Sequence, residues 1–263
     1  MKNPTRLALL IAAALPLSAC ASAPPGTTVV TNISDGESLI RAMHDRYAGR
    51  WYRTLTFEQK TTRPGPNDSV RVDTWYEYGA IPGRLRIEFA PREAGNGAIY
   101  ANDSIYAVRN GRVTVRRAQR NSLLILGFDV YGQAPEQSIR MLREEGFPMG
   151  PVRMDTWRGR PVYVVGGAPG DVKSTQWWVD AERLVYVRSF EPAPSPDDST
   201  RVMEVHFDGY ERFGGGWVAT LVDILVNGRS IKKEEYSNVR VDFLLDPALF
   251  VPERWSDAPH PAP

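Results

Sequence analysis

An alternation of apolar and polar residues, repeated along most of the chain, limits its fold more than any other feature. In residues 51–58, 70–78 and 84–89, the two kinds of side chain occupy alternating positions. Successive side chains of a β-strand point to opposite faces of a sheet, so this period predicts strands with one apolar and one solvated face. Such strands are typical of antiparallel sheets. The sequence therefore predicts a mainly antiparallel β-structure.

Turn sequences separate the alternating segments. Asn110-Gly111 is a strong signal for a type I′ hairpin, because both central residues of that turn have positive φ. Gly214-Gly215-Gly216 and Asn227-Gly228 mark turns in the C-terminal part of the chain. Together the segments predict one strongly curved antiparallel sheet. Its later strands are expected at 152–157, 161–165, 173–179, 184–190, 201–213, 217–226 and 230–241.

Two segments with a helical period interrupt the strands. Ser34-Asp35-Gly36-Glu37 has capping-box spacing, and the apolar residues that follow recur at intervals of three and four up to Gly49. Ala134-Pro135-Glu136 opens a second helix, which stops at Gly146. A dense apolar run at 123–128 precedes it. We expect these segments to cover the concave face of the sheet.

The first 20 residues have the organisation of a bacterial lipoprotein signal peptide. Lys2 and Arg6 form a basic region, residues 7–15 are apolar, and Leu17-Ser18-Ala19-Cys20 matches a lipobox. The apolar stretch is shorter than the roughly 20 residues that span a bilayer. We expect cleavage before Cys20 and its acylation with an N-acyl chain such as palmitate and an S-linked diacylglycerol, which suffices for stable anchoring. The alternative is that Cys20 is a small buried apolar residue.

The expected organisation is a signal peptide (1–19), a lipidated tether (20–33), one folded domain (34–252) and a Pro-rich tail (253–263). The chain has 32 basic and 31 acidic residues, and the signal peptide contains two basic residues and no acidic one. The mature chain is thus nearly neutral, whereas nucleic-acid binders cluster Lys and Arg, so no nucleic-acid partner is expected. We expect a monomer. Ala21, rather than Asp, follows the cysteine, which resembles an outer-membrane address facing the periplasm.

The residues for common catalytic and metal sites do not occur in suitable patterns. No two of the three histidines have metal-ligand spacing, the single cysteine belongs to the lipobox, and no Gly-x-Ser-x-Gly motif occurs. Four aspartates lie in turn sequences, where Asp is favoured because it bonds to the backbone. The sequence therefore predicts that the protein is not an enzyme and that it binds no metal. It also predicts no cofactor other than the covalent lipid on Cys20. The histidines are His44, His206 and His260, and the aspartates are Asp171, Asp180, Asp197 and Asp198.

Several of these features in sequence order resemble the outer-membrane lipoprotein-sorting (LolA/LolB-like) family. They are the lipobox, a helix that leads into the strand at 51–57, a central helical insertion, the segment 175–180, and the late Phe207-Asp208-Gly209-Tyr210 strand. The resemblance extends from about residue 34 to 250. It implies an α+β, mainly β fold: an unclosed half β-barrel of about 11 antiparallel strands, with helices over the concave face and an apolar cavity for acyl chains.

One loop departs from the family pattern. The outer-membrane receptor of the family has a loop with an apolar tip after its third strand, and the matching segment here, 91–97, has no large apolar residue. Binding of a lipid or another hydrophobic ligand is therefore a safer expectation than delivery of lipoproteins by that route.

The resemblance and the strand period together indicate ten residues as the lining of the cavity. For each of them the alternative is ordinary core packing. On the third strand, Arg84, Arg86 and Glu88 are expected to face solvent or the rim of the barrel. The candidate ligand-binding residues are Leu85, Ile87 and Phe89 on that strand, Val72 and Tyr76 on its neighbour, Trp177 or Trp178 across the barrel, and Leu123, Leu126 and Phe128 from the cover.

The expected function is that of a membrane-anchored lipoprotein that binds lipid or lipoprotein acyl chains in an apolar half-barrel, within envelope lipid or lipoprotein trafficking. A first alternative is a non-transporting envelope sensor or interaction lipoprotein. A second is an envelope hydrolase, which would need a polar catalytic cluster that the sequence does not contain in recognisable form.

Overall fold

The structure, a computed structural model, describes residues 32–193 and 200–258. The signal peptide, Cys20, most of the expected tether and residues 259–263 lie outside the described residues. Asp197, Asp198 and His260 lie outside them as well. The described strands are β1 (Thr54–Pro64), β2 (Val70–Ala80), β3 (Arg84–Phe89), β4 (Gly97–Ala101), β5 (Ser104–Arg109), β6 (Arg112–Ala118), β7 (Val152–Trp157), β8 (Arg160–Val165), β9 (Gln176–Asp180), β10 (Tyr186–Pro192), β11 (Val202–Phe213), β12 (Gly216–Val226) and β13 (Arg229–Val241).

All thirteen described strands form a single antiparallel sheet, in the order β6-β5-β4-β3-β2-β1-β13-β12-β11-β10-β9-β8-β7. Strands that are neighbours along the chain pair with each other, except β6 and β7, and β1 also pairs with β13, the last strand. Within the described residues β6 and β7 are the two edges, so the barrel is not closed. The expected unclosed, mainly β fold is confirmed. It has 13 strands rather than about 11, and short strands such as β4, with five residues, give little alternation to recognise.

The first and third helices lie where the helical pattern predicts them, and the second lies in the apolar run at 123–128, which was expected to belong to the cover but was not assigned as a helix. The helices are α1 (Gly36–Tyr47), α2 (Ser122–Gly127) and α3 (Pro135–Glu144), with short 3₁₀ helices at Pro66–Asp68, Arg92–Ala94, Asp129–Tyr131, Pro247–Phe250 and Pro252–Arg254.

The capping box of α1 forms one residue later than its sequence spacing suggests. Asp35 is the N-cap, and its carboxylate accepts a hydrogen bond from the Ser38 amide at 2.8 Å. The Ser38 hydroxyl in turn accepts one from the Asp35 amide at 3.0 Å. Each partner thus satisfies a backbone donor of the other at the start of the helix.

The larger part of the core lies under α1 and α3. Leu39, Ile40 and Met43 of α1 are fully buried in one apolar cluster with Leu142 of α3 and Val179 of β9. The start of α1 lies directly on the sheet, since a Cβ on Gly36 would be 3.1 Å from a methyl group of Val165 in β8. We call β8–β10 with α1 and α3 the filled half of the molecule.

The C-terminal segment, residues 245–258, packs against the outer face of β3 and β4. Arg86 of β3 is fully buried, and its guanidinium donates hydrogen bonds to the carbonyls of Leu249 at 3.2 Å and Trp255 at 3.0 Å. It also pairs with Glu88 at 2.7 Å and lies 3.7 Å from the centre of the Trp255 ring.

This packing corrects two expectations. Arg86 and Glu88 are 0% and 2% exposed instead of facing solvent or the rim, because the C-terminal segment covers them and supplies carbonyl acceptors for the buried charge. Residues 253–258 were expected to belong to a tail, but Trp255 and Ala258 are buried, so this part of the chain is packed onto the domain.

Candidate functional site

A cavity of about 290 Å³ lies between α2 and the concave face of β1–β5. We call β1–β5 with α2 the hollow half. Apolar side chains form most of the wall, and β11, β12 and β13 close it on the far side. The lining residues are Leu55, Phe57, Trp75, Glu77, Gly79, Ile81, Leu85, Ile87, Phe89, Ala98, Tyr100, Ile105, Asn121, Leu123, Leu124, Phe128, Phe207, Val222, Lys232, Glu234 and Tyr236.

Five of the ten candidate ligand-binding residues meet in this cavity. Leu85, Ile87 and Phe89 lie along β3, and Leu123 and Phe128 reach it from α2 and the residue after it. The three β3 side chains are only half-buried, because the hollow leaves part of their surface uncovered. That they contact a ligand remains a prediction.

Val72 and Tyr76 lie on the opposite face of β2 from the cavity. The cavity face of this strand is formed by Trp75, Glu77 and Gly79. Val72 is 57% exposed, and the Tyr76 ring lies 3.6 Å below the Arg92 guanidinium on the outer face. The strand carries aromatic residues on both faces, so its apolar character does not identify the inner one, and the expected face is corrected here.

Leu126, Trp177 and Trp178 are core residues rather than part of the cavity wall. Leu126 and Trp177 are fully buried in the main cluster, and the Trp177 indole donates to the Pro148 carbonyl at 2.9 Å. The Trp178 indole donates to the side chain of Gln176 at 2.9 Å. For these three residues the structure favours the alternative of ordinary core packing.

The lid helix α2 is short and is fixed at both ends. Its N-cap Asn121 accepts a hydrogen bond from the Leu123 amide at 3.0 Å, and the Ser122 hydroxyl donates to Glu191 of β10 at 3.0 Å. Gly127, at the end of α2, lies against Phe207, where an added Cβ would be 2.7 Å from the ring. The glycine therefore lets the lid approach the wall closely.

Asp129 links the chain after the lid to the turn between β2 and β3. One carboxylate oxygen accepts a hydrogen bond from the Gly83 amide at 2.9 Å, and the other has no hydrogen-bond partner among the described residues. Burial disfavours the charged form, and it raises the pKa of Asp129 to about 7 although the Gly83 bond acts in the opposite direction. The carboxylate is therefore costly to keep ionised in the folded protein.

The cavity has a polar end, formed by Glu77 of β2 and Lys232, Glu234 and Tyr236 of β13. The Lys232 ammonium lies 2.7 Å from one Glu234 oxygen, and the Tyr236 hydroxyl donates to the other at 3.0 Å. Burial and then the nearby Glu234 raise the pKa of Glu77 well above its usual value. No pattern in the sequence indicated this cluster, since charged residues within an alternating strand are typical of a solvated face.

The remaining candidates for chemistry have structural partners. The Ser174 side chain and then the amides of Lys173 and Ser174 donate hydrogen bonds that lower the pKa of Asp171 to about 2. Asp180 pairs with Arg160 at 2.6 Å. The described part of the chain contains no group of three or more His, Cys, Asp or Glu residues that could hold a metal ion. None of the helices within 32–193 and 200–258 has both the length and the apolar character needed to cross a bilayer.

The sequence matches no family model and no curated protein. Solved structures nevertheless share the fold. A DUF1329 family protein from Desulfovibrio piger aligns with a TM-score of 0.54 and 18% identity, over 82% of this chain and 95% of that one. A LolA superfamily protein from Nitrosomonas europaea gives 0.51 and 12%, over 82% and 97%. A domain described as an outer membrane lipoprotein-sorting protein, from Vibrio parahaemolyticus, gives 0.50 and 13%, over 83% and 98%.

These similarities define the class of fold. The chain is an unclosed antiparallel β-barrel with helices over the concave face, and this is the LolA-like fold. At these levels of identity the likeness concerns architecture alone.

Proposed function

We propose that the protein binds the apolar chain of a lipid, or of an acylated lipoprotein, in the cavity between α2 and β1–β5. The observation that carries this proposal is the hollow itself: a space of about 290 Å³ beneath α2 with a mainly apolar wall. Protein interiors are normally close-packed, and small-molecule pockets start at roughly 300 Å³. A site of this size and lining fits an alkyl chain.

The proposed location is the periplasmic face of the outer membrane, with the domain held there by acyl chains on Cys20. The lipobox supports the anchor, and a structural neighbour described as a lipoprotein-sorting protein supports an envelope role. On this proposal Cys20→Ala leaves an uncleaved precursor, because the thiol is the acceptor of the lipid. Immunoblots of membrane fractions test this, and maturation to wild-type size in the variant would contradict it.

Within lipid trafficking, we propose binding rather than insertion of lipoproteins into the membrane. The segment 91–97 contains the short 3₁₀ helix Arg92–Ala94, and the Arg92 guanidinium packs on Tyr76 of the sheet. Its residues offer no large apolar tip for a bilayer. We propose no catalytic step, since Asp171 and Asp180 serve as turn and ion-pair residues.

A matched pair of leucine substitutions tests the binding site. Leu123 lines the cavity, whereas Leu244 is 92% exposed. We expect Leu123→Glu to weaken the binding of a neutral fluorescent alkyl probe at least tenfold, because it places a carboxylate where the chain would lie. Leu244→Glu, the control, should leave the affinity unchanged, and thermal melts should show that both variants fold. Absence of probe binding by the wild-type protein would overturn the proposed function.

A further inference from the structure

The polar end of the cavity contains one carboxylate without a partner. Glu77 is 6% exposed and points into the cavity from the middle of β2. Among the described residues it has no hydrogen bond and no ion pair closer than 4 Å. A buried carboxylate in this situation carries a desolvation cost that no hydrogen bond offsets, although the charge of Lys232 acts against it.

The neighbouring charged groups satisfy one another instead. The Lys232 ammonium and the Glu234 carboxylate form an ion pair, and the Tyr236 hydroxyl occupies the second oxygen of Glu234. Their charges largely cancel, so among the described residues at this end Glu77 is the acidic group without a hydrogen-bond or ion-pair partner. Burial, together with Glu234, disfavours the anionic form of Glu77 and therefore raises its pKa.

An aromatic surface adjoins this carboxylate. Trp75 precedes Glu77 on the same face of β2, and the Lys232 ammonium already lies 5.4 Å from the centre of its ring. Faces of indole rings attract cations, most strongly where water is excluded. The polar end thus has an unpartnered carboxyl group and a cation-binding ring beside one another.

We propose that the ligand of the cavity is an amphiphile with a cationic, hydrogen-bond-donating head, such as a primary amine, which pairs with Glu77. Its chain lies along Leu85, Ile87 and Phe89 beneath Leu123. This inference rests on the proposed function and adds the chemistry of the head group. A carboxylate head would instead bring a further negative charge next to Glu77 and Glu234, at the low effective dielectric of a buried site.

Three ligands with the same chain and different heads test the proposal: decylamine, decanol and decanoate, each below its micellar concentration. Displacement of a neutral fluorescent probe from the purified protein gives the affinities. We expect decylamine to bind at least tenfold more tightly than decanoate, with decanol between them. Equal or tighter binding of decanoate would overturn the inference and leave the proposed function standing. Failure of all three ligands to bind would overturn the proposed function itself.

Two Glu→Gln variants locate the preference. Glu77→Gln should weaken decylamine binding about tenfold and leave decanol binding unchanged, because only the charge of the head group's partner is lost. Glu235→Gln is the matched control, since Glu235 is next to Glu234 on the other face of β13 and pairs with Lys60 at 3.0 Å. An unchanged preference for the amine in Glu77→Gln would overturn the inference. Melting temperatures of the ligand-free variants verify that both are folded.

Discussion

The filled and hollow halves belong to one continuous sheet but cover its inner face to different extents. In the filled half, α1 and α3 with 12 and 10 residues cover the inner face, and Leu39 and Val179 are fully buried. In the hollow half, α2 has six residues, which span only about 9 Å at 1.5 Å per residue. The inner side chains of β3–β5, such as Leu85 and Ile105, are half-buried, while Arg86 and Ile99 on the outer face are fully buried.

The difference shows how a fold can keep a hollow without losing its stability. A six-residue lid cannot fill the space beneath it, so the strands of the hollow half obtain their packing from the C-terminal segment on the other side. The wall of the cavity is thus packed from outside, and part of its inner surface remains uncovered.

The largest expected effect is a contrast between two leucine truncations. Leu39→Ala, in the filled half, removes fully buried methyl groups and should lower the free energy of unfolding by about 2–5 kcal/mol. Leu85→Ala enlarges a space that already exists and should cost only about 1 kcal/mol. Denaturant titrations of both variants measure the contrast. Equal losses would mean that the hollow half is packed like the filled one.

A smaller, pH-dependent effect is expected at the junction of the halves, where Asp129 binds the Gly83 amide. The pKa of Asp129 is raised from 3.8 to about 7 in the folded protein, so the ionised form lowers stability. This penalty is complete above pH 7, where it amounts to at most about 4 kcal/mol, and it disappears as the pH falls towards 4. Asp129→Asn keeps an acceptor for Gly83 and should therefore be more stable than wild type above pH 7, with the gain vanishing near pH 4.

Thermal melts from pH 4 to 8 measure this dependence. Asp257→Asn is a suitable control, because Asp257 is exposed near the end of the packed segment. A gain in Asp129→Asn that is the same at every pH would contradict the assignment of the effect to ionisation of this carboxylate.

The smallest effect on stability is expected when the cavity is filled. Ala98 lines the cavity from β4, and Ala98→Leu should change the free energy of unfolding by no more than about 1 kcal/mol, because the added methyl groups enter empty space. Binding of the alkyl probe should fall at least tenfold. Ala118→Leu, at the exposed end of β6, should change neither quantity. Severe destabilisation by Ala98→Leu would mean that the space cannot accept an apolar group.

The sequence predicted the fold well because its main determinants are local. Period-two alternation identified the strands, and the caps of α1 and α3 identified the helices. The inner position of Leu85, Ile87 and Phe89 followed from alternation with three charged residues. The inner face of β2 could not be predicted in this way, because Trp75 and Tyr76 are both aromatic and only the rest of the fold determines which of them faces the cavity.

Other features depended on contacts between distant parts of the chain. Arg86 and Glu88 look solvated locally, and their burial requires residues about 160 positions later. The polar end of the cavity joins Glu77 to β13 across a similar distance. The periodicity of apolar residues within a short segment does not indicate such pairs. The expectation for Cys20 remains a prediction, since that residue lies outside the described part of the chain.

The position of the C-terminal segment also has a consequence for the order of folding. The carbonyls that satisfy the Arg86 guanidinium belong to Leu249 and Trp255, and β1 completes its pairing only with β13. An N-terminal portion of the chain that ends before β13 therefore lacks the second partner strand of β1. It also lacks the carbonyl acceptors of the buried Arg86 guanidinium. Such a portion therefore has little reason to fold before the C-terminal segment is available.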